Sequence, residues 1–184
     1  MGNEIDGAPF YSIWLVPEAR SANCIGALIN DLAGKHGSDP FPPHITLAER
    51  IYGSEDRVLR NAELLATGFE EKLVAGTDWI GHSDFYYRSL FVRIKRSNGL
   101  KLANSKARAV FKLPESEFMP HMSLMYADLP EPAKRNIADE LIRSSPEWLS
   151  GFVLDKISVY RIEDRIPKWK EVGRFDIQYR TAKY

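Results

Sequence analysis

The sequence predicts an α+β fold: a duplicated β-α-β-α-β unit forming a bilobal protein, with two mixed or antiparallel sheets facing a central cleft and helices on the outside. Two observations predict it. The order strand, helix, strand, helix, strand is legible once before and once after residue 88. Each half also carries one pentapeptide pattern, Pro-His-apolar-hydroxyl-Leu, as Pro43-His44-Ile45-Thr46-Leu47 and Pro120-His121-Met122-Ser123-Leu124. A chain of 184 residues suits a single domain, with pseudo-symmetric lobes over roughly 10–88 and 89–180.

Phe10 to Val16 reads as a buried strand closed by Pro17. Ser21 to His36 predicts a helix, because Ile25, Leu28, Ile29 and Leu32 recur at helical spacing and Gly37 stops it. The first motif opens a strand running to about Ile51, and Ser54 is placed to cap a helix bearing Val58, Leu59, Ala62, Leu65 and Ala66. Glu71 to Ala75 and Thr77 to Tyr87 read as strands from their β-branched and aromatic content. Ser89 to Lys95 is a short apolar strand, and Leu100 to Val110 a helix after the Asn98-Gly99 break. The loop Lys112 to Pro120 delivers the second motif strand, which reaches Tyr126. Pro130 to Arg143 is helical, with prolines early and Ala133, Ile137, Leu141 and Ile142 on one face. Phe152 to Arg161 and Trp169 to Tyr179 close the chain as strands around the charged turn Glu163 to Lys168.

Twenty-five basic and 25 acidic side chains cancel. An extended nucleic-acid groove leaves a basic surplus, so long RNA or DNA is not the expected partner. Cys24 is the one cysteine, which excludes an intrachain disulfide and a cysteine-rich zinc site and suits a reducing cytoplasm. Met1 to Pro9 lacks the basic start and apolar core of a signal peptide, and Asp6 stands where a myristoylation signal has Ser or Thr. No apolar run has the length to span a bilayer. A cytoplasmic monomer with no membrane partner is expected.

In a strand, side chains at i and i+2 share a face, so His44 travels with Thr46 and His121 with Ser123. One such pair is ordinary strand packing. Two at matching places are not, because a duplication that preserved only packing has little reason to keep both polar pairs. Histidine's ordinary pKa of about 6.5 lets one imidazole be neutral while the other is protonated. That supplies a general base and a general acid at opposite ends of an in-line displacement at phosphorus, with the two hydroxyls donating to phosphate oxygens. Such chemistry requires no cofactor and no metal. The halves are too alike to say which histidine is the acid. His36 and His82 form no His-Glu-x-x-His or His-x-His spacing, and they are assigned no role.

The paired motifs resemble those of the two-histidine (2H) phosphoesterase superfamily, and within it the plant-type cyclic nucleotide phosphodiesterases. The likeness runs from about Tyr11 to Ile177 and includes Tyr11-Ser12-Ile13-Trp14-Leu15-Val16-Pro17, Phe85-Tyr86-Tyr87, the stretch Met119 to Tyr126, and Trp169. The resemblance implies a bilobal fold with a water-filled cleft and metal-independent hydrolysis of a small cyclic phosphodiester. The implied substrates are nucleoside 2',3'-cyclic phosphates, opened to 2'-phosphates, and ADP-ribose 1'',2''-cyclic phosphate, opened to ADP-ribose 1''-phosphate. By position, the resemblance makes His44 and His121 catalytic and has Thr46 and Ser123 hold phosphate oxygens. It places Tyr126 in the substrate site, although strand parity points that residue the other way. Trp14, Tyr87 and Trp169 are candidates to flank a ribose or base, while Arg88, Arg93 and Lys95 could attract phosphate but are expected at solvated positions. The plant enzyme's disulfides have no counterpart here, so redox gating of a loop is not carried over. Two rivals stay open: a 2H enzyme acting on RNA cyclic phosphate termini or 2',5' linkages, and a nucleotide-binding module without catalysis.

Overall fold

The computed structural model describes residues 8–163 and 165–179. Among them run β1 (Phe10–Pro17), α1 (Ala19–His36), β2 (Ile45–Ile51), α2 (Glu55–Ala66), β3 (Leu73–Ala75), β4 (Thr77–His82), β5 (Leu90–Ile94), α3 (Asn98–Phe111), β6 (His121–Met125), α4 (Glu131–Ser144), β7 (Phe152–Ile162) and β8 (Lys170–Asp176). The mixed α+β character is as expected. The strands, however, form one antiparallel sheet rather than two, in the order β3-β7-β1-β2-β6-β5-β4, with β8 beside β3 on the free edge of β7. A single residue pair, Ile45 with Met122, joins β2 to β6 and makes the sheet continuous. Hydrophobic periodicity reveals strands but not their partners, which is why this join is invisible in the sequence. The halves of the chain also exchange strands: β4 pairs with β5, whereas β7 lies beside β1.

β1 is buried on both faces. Tyr11, Ile13 and Leu15 enter the main core, while Phe10 and Trp14 join Tyr160 and Ile162 in a smaller cluster on the opposite side. The helices pack crosswise, α1 against β6 and α3 against β2, so each motif strand is backed by the helix that precedes the other. Ile25, Ile29 and Leu100 are buried there with Ile45, Leu47, Met122 and Leu124, each contributing roughly 1.5–3 kcal/mol of apolar burial. α2 covers β7 and β8, and α4 covers β4. No described helix is long and apolar enough to cross a membrane.

Local chemistry fixes the ends. The Glu18 carboxylate caps α1 by accepting from the N–H groups of Arg20 (2.9 Å) and Ser21 (3.4 Å), and Gly37 ends it at φ +65°. Ser54 occupies the N-cap position of α2 without a capping hydrogen bond, whereas Ser97 accepts from Leu100 N–H at 3.2 Å to cap α3. The strand expected over Thr77 to Tyr87 stops at His82. Ser83 is the cause: its hydroxyl donates to Arg88 O (2.8 Å) and accepts from Phe85 N–H (3.3 Å), replacing the ladder with a loop. That loop ends in a 3-10 turn, Tyr86–Arg88.

Candidate active site

Pro43 and Pro120 hold the residues before them in extended backbone. In both motifs the carbonyl two residues before the histidine meets the ring: His44 Nδ1–H donates to Pro42 O at 2.6 Å, and His121 Nδ1–H to Met119 O at 3.0 Å. A carbonyl only accepts, so each neutral ring carries its proton on Nδ1 and keeps a lone pair on Nε2. The pairing of Ile45 with Met122 sets His44 across from Ser123 and Thr46 across from His121. All four line one cleft of about 640 Å³, within the range of small-ligand sites.

The two histidines have different surroundings. His44, just before β2, and Tyr160 of β7 both stack on Trp14, at 3.5 Å and 9° and at 3.8 Å and 19° respectively. Both faces of the indole are thereby covered. Trp14 lines the cleft with its ring between those of His44 and Tyr160. His44 is buried, and burial pushes its pKa down to about 4, against the Pro42 carbonyl and with the His121 charge adding. His121 is partly exposed, with only the edge of Phe91 against it among described aromatic rings, at 5.7 Å and 78°. Burial lowers its pKa too, with the Met119 carbonyl opposing and the Arg88 charge adding.

The hydroxyls also differ. Ser123 Oγ donates to Tyr87 O at 3.1 Å and favours the ionised form of the neighbouring Tyr126 hydroxyl against its burial. Tyr126 lies one residue beyond β6, where the register slips between the pairs Phe91–Ser123 and Leu90–Met125. This irregularity resolves its parity and brings it into the cleft. Tyr126 stacks on Phe41 at 3.9 Å and 13°, and burial holds its hydroxyl protonated. Tyr87 and Trp169 have ring centroids 6.0 Å apart and complete the aromatic side beside Tyr126.

All eight residues proposed from sequence line the cleft: His44, Thr46, His121, Ser123, Tyr126, Trp14, Tyr87 and Trp169. Arg88, expected at a solvated position, lines it too, because the Ser83 loop carries it inward. Arg50, Asn104 and Arg108 are further lining residues that sequence reasoning missed. Arg50 sits at φ +56° where the β1–β2 register slips, an irregularity with no sequence signal. Among the described residues no three His, Cys, Asp or Glu side chains cluster as metal ligands.

An antiparallel sheet with two His-x-hydroxyl pairs across its centre defines a 2H phosphoesterase. The chain belongs to the family described as cyclic phosphodiesterase-like protein, whose model matches residues 10–177. It is 26% identical over 169 residues to the cyclic phosphodiesterase of Arabidopsis thaliana, spanning 89% of this chain and 92% of that one. A Phaeosphaeria nodorum protein described as 2',3'-cyclic-nucleotide 3'-phosphodiesterase is 25% identical over 160 residues, spanning 78% of this chain and 83% of that one. The crystal structure of E. coli LigT complexed with 3'-AMP shares the fold, with a TM-score of 0.57 at 15% identity over 94% of this chain and 99% of that one. The family and these relatives make the chain a hydrolase acting on cyclic phosphodiesters.

Proposed function

We propose that the chain opens nucleoside 2',3'-cyclic phosphates to 2'-phosphates and ADP-ribose 1'',2''-cyclic phosphate to ADP-ribose 1''-phosphate, with His44 as general base and His121 as general acid. The observation that carries this reading is the matched pair of Nδ1 hydrogen bonds. They leave two Nε2 atoms on one cleft, one for each end of a displacement. His44, the more buried ring, is neutral at working pH and takes a proton from water as the water oxygen attacks phosphorus. His121 gives its proton to the departing ribose oxygen as that P–O bond breaks. One proton is gained at His44 and one lost at His121, so exchange with solvent resets the pair.

Thr46 and Ser123 hold non-bridging oxygens, Ser123 by rotating its hydrogen away from Tyr87 O. Tyr87 and Trp169 flank the ribose or base. The 3' bond broken here is the one named in the description of the fungal relative. A cleft of about 640 Å³ and a net charge of zero support a small-molecule substrate over long nucleic acid, with the chain acting as a cytoplasmic monomer.

The test is an assay in EDTA offering both cyclic phosphates, with the product isomers identified. Turnover of the 2',3'-cyclic nucleotide to the 2'-phosphate is expected. His44→Ala and His121→Ala should each lower kcat by at least a hundredfold; full activity in either folded variant refutes the assignment.

A further inference from the structure

A cyclic phosphodiester is an anion, and its burial requires a compensating cation or strong donors. His44 does not supply that charge at working pH, because burial keeps its imidazole neutral, and His121 gives its proton away during the reaction. Three arginines line the cleft, and they are not equivalent. Arg108 is committed to the chain itself, its guanidinium donating to Pro114 O through Nε at 2.7 Å and through a second nitrogen. Arg50 is an exposed side chain whose guanidinium carbon lies 5.7 Å from the Phe10 ring centroid.

Arg88 is placed differently. Its guanidinium carbon lies 5.7 Å from the centroid of Phe91, the ring that also carries His121 edge-on at 5.7 Å. Phe85 lies 6.0 Å from it. Its neighbour Tyr87 receives the Ser123 hydrogen bond, so the same short turn touches Ser123 directly and reaches His121 through Phe91 and the Arg88 charge. The Arg88 Nε is buried with no hydrogen-bond partner among the described residues, an arrangement unfavourable to a charged donor unless something accepts from it.

We propose that Arg88 contacts the substrate directly: its guanidinium binds a non-bridging oxygen of the scissile phosphate on the His121 side and offsets the negative charge that grows there in the transition state. The identity of the anion as a substrate phosphate rests on the hydrolase reading above; the anion site itself does not.

Calorimetric titration of inorganic phosphate into wild type, Arg88→Gln, Arg88→Lys and the exposed-site control Arg60→Gln tests it, with folding checked by circular dichroism. Arg88→Gln should bind phosphate at least tenfold more weakly, and Arg60→Gln within twofold of wild type. Arg88→Lys keeps the charge but lacks the planar fork and Nε donor, so it should fall in between and serves if the Gln variant does not fold. In turnover, Arg88→Gln should lower kcat on the cyclic nucleotide by about a hundredfold. Wild-type phosphate affinity in either folded Arg88 variant overturns the assignment, as does a wild-type protein that binds no phosphate. A protein that bound phosphate through Arg88 and hydrolysed nothing would support the anion site while refuting the hydrolase reading.

Discussion

Acid should unfold this protein partly through His44. The ring is buried against Trp14, and its pKa is moved from 6.5 to about 4. Because the folded value is depressed, the unfolded chain takes up the proton first as pH falls. The stability associated with the neutral ring is therefore complete above about pH 6.5 and is lost progressively down through pH 4. Linkage between those two values gives a loss of about 2 kcal/mol by pH 5 and about 3 kcal/mol by pH 4, against a total stability of roughly 5–15 kcal/mol. His121 acts in the same direction. The perturbation that isolates His44 is His44→Gln, which removes the titration and keeps an N–H for Pro42 O. Urea unfolding followed by circular dichroism at pH 7 and pH 5 measures both proteins, and the carboxylates common to them cancel in the difference. Wild type should lose about 2 kcal/mol more than the variant between these pH values, or roughly 4–8 °C in Tm for a chain of this size. A gap between the two proteins that is the same at both pH values, within about 0.5 kcal/mol, would refute the burial argument.

Other outcomes follow from the same geometry. The pH profile of kcat/KM should rise through about 4 as His44 loses its proton and fall again below the ordinary histidine value as His121 loses its own; initial rates across that range check it, and an alkaline limb well above 6.5 contradicts the lowered His121 value. Lys134 is buried and donates to Ser83 O at 2.7 Å and to the exposed Asp84 carboxylate at 3.0 Å. Lys134→Met should cost about 1–3 kcal/mol in urea unfolding by leaving that carbonyl unpaired, and it should lower kcat/KM because the loop carries Tyr87 and Arg88. A Cβ at Gly81 would meet Phe91 Cζ at 2.7 Å and Trp79 Cζ3 at 2.2 Å. Trp79 is exposed and can swing away, but buried Phe91 cannot, so Gly81→Ala should lower stability by about 1–3 kcal/mol, read by the same denaturation.

The two motifs were legible because their signal is local: a proline, a histidine and a hydroxyl two residues on need no tertiary information to share a face. Element positions were largely legible for the same reason, apart from the end of β4, where the Ser83 side chain took over hydrogen bonds that strand propensity assigns to a ladder, and the start of α3, where the Ser97 cap draws Asn98 and Gly99 into the helix instead of leaving them as a break. What depended on partners was not. The join of β2 to β6 rests on one residue pair, and neither motif reveals that the other half's helix backs it. The surroundings of Trp14 and Arg88 were not legible either: His44 and Tyr160 stack on the indole, and a turn carries the arginine to the cleft.

β1 is the first strand along the chain, yet one of its partners comes near the far end: Phe10 pairs with Ile162, and Trp14 with Ser158. At roughly 5–20 residues per second, a ribosome leaves β1 waiting on the order of ten seconds for β7. Throughout that interval a strand destined for burial on both faces has an open edge and no cover from Tyr160. Nascent chains are consequently most prone to mispairing and chaperone capture before their last strands emerge. Substitutions in β7 should therefore govern soluble yield in the cell even where they leave both His-x-hydroxyl motifs untouched.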